Sequence, residues 1–188
     1  MPGNSTPSQT VGPFFSIGFD WMNRADFAEE SAGERVAIQG RVLDGSGQPV
    51  PDAILEIWQA DANGRYYHPE HADTRNNVTP FVGFGRVPTD GQGQFSFTTI
   101  KPGPVYGPDG KPQAPHLQIS VFMRGLLRQL VTRMYFPDEP LNGSDPGLQF
   151  VPESRRETLI ARRTGPEGNN LEWNVLLQGA DETVFFDC

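Results

Sequence analysis

Apolar and polar residues alternate along two stretches of the chain, and this pattern predicts β-strands. In APHLQISVF (residues 114–122), three aliphatic side chains alternate with His116, Gln118 and Ser120. Side chains two residues apart on a strand share a face, so these polar residues are expected on one face and the aliphatic ones on the other. In QFSFTTI (residues 94–100), the phenylalanines share a face in the same way.

Other short apolar runs lie between clusters of turn-forming residues. The segments DGSG and DANG carry the glycine, aspartate and asparagine that tight turns favour. Strands are predicted on either side of DGSG, in LRQLVTRMYF, in LEWNVLLQG and in ETVFF. About seven to eight short strands at this spacing predict an all-β fold, a sandwich or a barrel.

Three parts of the chain lack the alternation. Residues 1–16 are polar and rich in proline, which predicts an extended N-terminal arm. Residues 21–30 are predicted to form a short helical turn. In ESRRETLIARR (residues 153–163), Leu159 and Ile160 form a narrow apolar patch among charges, which predicts a short helix.

Composition narrows the class of protein. The 188 residues suit a single domain spanning 1–188, and 36% of them are hydrophobic. A net charge of -8 argues against nucleic acid or an anionic membrane as partner. No apolar run approaches a membrane span, and the N-terminus lacks the features of a signal peptide. The single cysteine, Cys188, cannot pair within the chain, so a cytoplasmic location is expected.

The residues that could support chemistry are histidines and tyrosines. The segment GRYYHPEH contains Tyr66, Tyr67, His68 and His71, and His116 is the remaining histidine. Phenolate and imidazole groups can bind iron, although the same residues can simply occupy a turn at the end of a hairpin. The motifs of serine hydrolases, kinases and thiol redox enzymes are absent from the sequence.

Several motifs together give a more specific identification. The chain resembles the intradiol ring-cleavage dioxygenases in five segments: GRVLDGSGQPVPDAILEIWQADANGRY, TIKPGP, APHLQISVF, RMYFPDEP and ETVFFDC. The resemblance implies a β-sandwich, and a ferric ion held by two tyrosinates and two histidines. More specifically, the motifs resemble those of the family members that cleave protocatechuate in aromatic catabolism. These are implied to consist of two related chains, α and β, of which only β carries the complete iron site.

Only part of the implied iron site is present in this sequence. The resemblance places the tyrosine ligands at Tyr66 and Val105 and the histidine ligands at His116 and Gln118. Valine has no donor atom and glutamine is a weak substitute for imidazole. A basic residue of the iron-bearing chain corresponds to Gln113 here. The resemblance therefore implies an iron-free α chain with no cofactor of its own, and Fe(III) in a partner β chain.

In such an assembly the α chain is implied to line the mouth of the β pocket. The residues that match this role are Thr10, Gly12 and Pro13 in the N-terminal arm and Arg124 after the APHLQISVF strand. Protocatechuate carries a carboxylate, which arginine binds through two parallel hydrogen bonds. Arg133 is the alternative arginine for this contact.

The surviving pair of ligand positions is expected to have a structural role. Buried tyrosine and histidine side chains are normally hydrogen-bonded, so Tyr66 and His116 are expected to bond each other or the backbone. The loop GPVYGPDGKPQAP is expected to cover the old pocket.

Two other functions remain open on the sequence. One is a self-sufficient iron enzyme that uses Tyr66, Tyr106, His116 and His68. The other is a non-enzymatic binding module, because GRVLDGSGQPVPDAILEIW also resembles transthyretin-like sandwich repeats.

Overall fold

Two β-sheets form most of the computed structural model, which describes residues 6–28, 31–67, 81–107, 110–165 and 168–187. The strands are β1 (Arg35–Leu43), β2 (Ile54–Trp58), β3 (Phe84–Pro88), β4 (Gln94–Ile100), β5 (Val105–Tyr106), β6 (Pro112–Gln113), β7 (His116–Phe122), β8 (Leu130–Tyr135), β9 (Arg162–Thr164), β10 (Asn170–Glu172) and β11 (Val175–Leu176). The helices are α1 (Phe14–Ile17), α2 (Pro146–Gln149) and 3₁₀ segments at Asp20–Met22, Pro140–Gly143 and Glu153–Leu159.

The first sheet is organised around β1. Strand β4 pairs with β1 in antiparallel register along its whole length. The other edge of β1 pairs in parallel with two short strands, first β10 and then β11. Strand β9 pairs in turn with β10, in antiparallel register. Buried and exposed residues alternate strictly along β1, because one face of this sheet covers the core and the other faces outward.

The second sheet is antiparallel, with the strand order β3-β2-β7-β8. The alternation predicted for β7 is confirmed, since its three aliphatic residues are fully buried while Gln118 and Ser120 are partly exposed. Strands β5 and β6 form a separate short ribbon.

Residues of both sheets meet in one apolar core. Val36, Ile38 and Phe97 of the first sheet belong to the same buried cluster as Leu55 and Ile119 of the second. Aliphatic and aromatic side chains on the inner faces of two packed sheets are what a β-sandwich requires. The expected fold class is therefore confirmed.

The short helical predictions hold only in part. The segment Glu153–Leu159 is a 3₁₀ helix, and the chain then enters β9, so the helix predicted to reach residue 163 ends earlier. In 21–30, regular helix is limited to the single turn Asp20–Met22, among the residues that the structure describes. The arm predicted for 1–16 is irregular from residue 6 onward and enters α1 at Phe14.

A buried arginine attaches the end of the arm to the second sheet. Arg86 of β3 is 2% exposed, and its guanidinium carbon lies 4.7 Å from the ring centroid of Phe15 and 5.1 Å from that of Phe19. Its Nε lies 3.1 Å from the carboxylate of Glu56 on β2. A guanidinium over aromatic rings is attracted by their negative faces, so the arm is held in place at this point.

The described part of the chain contains no helix that is both long enough and apolar enough to span a membrane.

Candidate functional site

The ligand positions implied by the family resemblance lie around β7. Tyr66 follows β2, and its ring stacks on that of Trp58, with centroids 5.7 Å apart and planes 4° from parallel. Gln118 is the cross-strand partner of Trp58 on one side and of Arg133 on the other. Trp58 therefore connects the two positions: its ring stacks on Tyr66, and its backbone lies opposite Gln118 in the sheet.

A guanidinium group lies close enough to these ligand positions for its charge to act on both Tyr66 and His116. Arg133 Nη1 donates a hydrogen bond to Gln113 Oε1 at 2.9 Å and approaches the hydroxyl of Tyr135 at 3.4 Å. Its positive charge lowers the pKa of His116 and opposes the burial that raises the pKa of Tyr66. Arg133 is the alternative arginine for the predicted substrate contact, and its Nη1 is hydrogen-bonded within the chain.

His116 is held as a neutral imidazole. It is 4% exposed, and its Nδ1 lies 2.7 Å from the carbonyl oxygen of Ala114. A carbonyl only accepts, so Nδ1 carries the proton of this hydrogen bond. Burial, followed by the charge of Arg133, lowers the pKa of His116 to about 4. The backbone hydrogen bond expected for this residue is present.

A buried carboxylate closes the pocket behind Tyr135. Asp145 Oδ1 accepts the hydroxyl of Tyr135 at 3.0 Å and the amide of Leu148 at 2.9 Å. Its Oδ2 accepts the amide of Ala114 at 2.8 Å. Asp145 thus caps the N-terminus of α2 and links that helix to β8 and to the segment before β7. No role was predicted from the sequence for Tyr135 or for Asp145.

Val105 and Tyr106 are on the β5–β6 ribbon. Val105 is buried opposite Gln113, whereas Tyr106 is 75% exposed opposite Pro112. Adjacent residues of a strand point to opposite faces, so the Tyr106 hydroxyl does not replace the donor missing at Val105. His68, another residue of the alternative iron site, lies outside the described residues, as does His71.

The residues of this pocket do not fit a ferric ion. Val105 supplies no donor and Gln118 supplies only a neutral amide, so two of the four implied ligand positions lack a suitable donor. Arg133 also places a positive charge near His116, where it would repel a bound cation. Across the described residues, no group of three or more His, Cys, Asp or Glu side chains is arranged to hold a metal ion.

The role of Arg133 can be measured through His116. Replacing Arg133 with methionine is expected to raise the pKa of His116, because a neighbouring positive charge disfavours the imidazolium. The pKa is expected to remain below 6.5, the ordinary value for histidine, because burial persists. NMR titration of the imidazole protons, assigned with a His116→Asn variant, measures the shift. The matched control is Arg128→Met, at an exposed arginine; an equal shift there, or none in Arg133→Met, would contradict the assignment.

The predicted substrate-lining residues are at a different edge of the molecule. Arg124 follows β7 with its side chain 62% exposed, and its Nε pairs with the carboxylate of Asp52. The next amide, of Gly125, donates to Thr10 Oγ1 at 2.8 Å, which places the arm beside Arg124.

Gly12 and Pro13 lie immediately before α1, exposed to solvent. Their carbonyl oxygens accept the first backbone hydrogen bonds of that helix, from Phe15 at 3.0 Å and Ile17 at 3.3 Å. The structure therefore presents a short exposed backbone segment at this point of the arm.

Comparison with known proteins supports the interpretation of the motifs. A family model described as "Dioxygenase" matches residues 19–179. The chain is 41% identical to the protocatechuate 3,4-dioxygenase alpha chain of Burkholderia cepacia, covering 97% of this chain and 96% of that one. It is also 41% identical to the beta chain from the same organism, covering 94% of this chain and 77% of the other.

Solved structures support the fold alone. The hydroxyquinol 1,2-dioxygenase of Pseudomonas putida DLL-E4 superposes with a TM-score of 0.64 at 22% identity, over 94% of this chain and 67% of that one. A dioxygenase domain from Streptomyces sp. SirexAA-E gives 0.62 at 24% identity, over 96% of each chain. The match to the family model and the near-complete coverage of the curated relatives confirm the resemblance drawn from the motifs. The chain belongs to the intradiol dioxygenase family and is homologous to protocatechuate 3,4-dioxygenase alpha chains.

Proposed function

We propose that this chain is the iron-free α subunit of a two-chain protocatechuate 3,4-dioxygenase. With an iron-bearing β chain, it takes part in cleaving protocatechuate with O₂ to 3-carboxy-cis,cis-muconate, in the β-ketoadipate pathway of aromatic catabolism in the cytoplasm. The Fe(III) of the β chain supplies the site at which the catechol becomes reactive toward O₂. The contribution of the α chain is to shape the binding site.

The observation that carries this proposal is the guanidinium in the old ligand pocket. Arg133 hydrogen-bonds Gln113 and lowers the pKa of the one remaining histidine ligand position, His116. The pocket has a guanidinium cation beside it and lacks two of the four implied donors. Both properties are incompatible with tight Fe(III) binding. The 41% identity to an alpha chain over 97% of this chain agrees with that assignment.

The contact with substrate is proposed for the surface formed by the arm and Arg124. An acidic chain needs a local positive group to meet an anionic substrate, and Arg124 is the predicted arginine whose side chain is exposed. Thr10 adjoins Arg124 through Gly125, and Gly12 and Pro13 continue the same arm. Together these residues are proposed to line the mouth of the β pocket.

Reconstitution tests the proposal. The chain is produced alone and together with the β chain from the same organism, and O₂ consumption with protocatechuate and iron content are measured. Activity is expected only in the complex, with iron present there and absent from the isolated α chain. Activity without β would establish the self-sufficient enzyme instead. A stable complex without activity, or no complex at all, would favour the binding module.

A further inference from the structure

We propose that Asp52 is a positioning residue that orients the guanidinium of Arg124 toward the carboxylate of the aromatic substrate. This inference rests on the proposed function, since it concerns the arginine assigned there to the substrate. Asp52 is the carboxylate that pairs with Arg124 among the residues that the structure describes, and it does so through Nε.

The pairing is a consequence of strand register. Ile54 of β2 lies opposite Phe122 of β7, at the end of their antiparallel ladder. Continuing this register by two residues places Asp52 opposite Arg124. Directly opposed residues of antiparallel strands are close enough for their side chains to interact, so the ladder itself brings the carboxylate to the guanidinium.

Asp52 is attached to a rigid part of the fold. The buried hydroxyl of Thr89 accepts the amide of Ala53 at 3.0 Å and donates to the carbonyl of Val50 at 2.7 Å. The amide of Thr89 also donates to the carbonyl of Ala53, at 2.9 Å. These bonds hold the turn on both sides of Asp52. The carboxylate is therefore the fixed member of the pair, and the more exposed arginine is the member that becomes ordered.

The guanidinium nitrogen that Asp52 binds determines which nitrogens of Arg124 remain available to a substrate carboxylate. A guanidinium is planar, so binding at Nε restricts both the direction and the plane of the group. A carboxylate that binds arginine end-on uses the two terminal nitrogens. Contact at Nε leaves that end directed away from Asp52. The Gly125–Thr10 hydrogen bond, 2.8 Å long, keeps the arm next to the same arginine.

Two substrates separate positioning from a general effect on the enzyme. Protocatechuate carries the carboxylate and catechol lacks it, so a residue that acts through Arg124 should affect KM for protocatechuate alone. In the α/β complex, Arg124→Gln is expected to raise that KM by about tenfold. Asp52→Asn is expected to raise it by about three- to fivefold, with kcat and the KM for catechol unchanged.

The matched control removes a similar ion pair elsewhere. Asp138 pairs with Nε of exposed Arg163 at 3.2 Å, so Asp138→Asn makes the same change in charge and in pairing. It is expected to leave both KM values unchanged. In the Arg124→Gln background, Asp52→Asn is expected to have no further effect, because no guanidinium remains to be positioned.

The outcomes distinguish the two proposals. An unchanged KM for protocatechuate in Arg124→Gln overturns the role of Arg124 in the proposed function. A raised KM in Arg124→Gln with no change, or a decrease, in Asp52→Asn overturns the role of Asp52 alone. An equal rise for both substrates, or an effect of Asp52→Asn that persists without Arg124, also overturns positioning.

Discussion

Replacing Asp145 with alanine is expected to lower the free energy of unfolding by about 3–5 kcal/mol. The carboxylate is 0% exposed and accepts three hydrogen bonds, from Tyr135, Leu148 and Ala114. Alanine leaves these donors buried without a partner and removes the cap of α2, and each loss adds to the cost. Urea unfolding followed by tryptophan fluorescence measures the difference.

Two further variants make the result specific to the buried network. Ser144→Ala, at the neighbouring exposed residue, is expected to change stability by no more than about 0.5 kcal/mol. Tyr135→Phe removes the hydroxyl donor, so it should reduce the cost of Asp145→Ala in the double variant. A loss below about 1 kcal/mol in Asp145→Ala, or strict additivity with Tyr135→Phe, would contradict a shared network.

The second expected result concerns the loss of stability at low pH. The pKa of His116 is lowered to about 4 in the folded chain, against 6.5 for an ordinary histidine. Between these values the unfolded chain binds the proton more readily, so the free energy of unfolding must fall as the pH falls. The contribution of His116 is complete above pH 6.5 and is lost by about pH 4. Its size is about 3 kcal/mol.

His116→Asn isolates this contribution, because asparagine retains a donor for the backbone but does not titrate in this range. Unfolding free energies are measured for both proteins from pH 7.5 to pH 4. The native protein is expected to lose about 3 kcal/mol more than the variant over this interval. Parallel pH profiles would show that His116 is not the responsible group. The remaining histidines are present in both proteins, so they do not contribute to the difference.

Much of the sandwich was predictable because its strands have one buried face. Alternation in β4 and β7 reflects that burial directly, and the turn residues of DGSG mark the end of β1. The short strands were less predictable. β5, β6 and β11 have two residues each, too few to show a period, and their pairing depends on residues distant in the chain. This is also why more strands occur than were predicted.

The incomplete set of ligand positions was predictable from the sequence, but the presence of Arg133 and Asp145 around the pocket was not. Alternation in LVTRMY can assign Arg133 to a face of β8, yet only the register of β7 with β8 places it opposite Gln118. Asp145 had a usable local signal, since aspartate followed by proline is typical of a helix N-terminus. Its hydrogen bonds to Ala114 and Tyr135 are long-range contacts, which no local pattern reveals.

The parallel pairing in the first sheet has a consequence for synthesis on the ribosome. The amide of Arg41 on β1 bonds the side chain of Asn174, 133 residues later in the chain. One edge of β1 therefore stays unpaired until β10 and β11 have been made, although β4 can pair with the other edge much sooner. An open edge strand next to exposed apolar residues is prone to intermolecular pairing. The nascent chain is most vulnerable to aggregation in this interval, which ends when the last two strands dock.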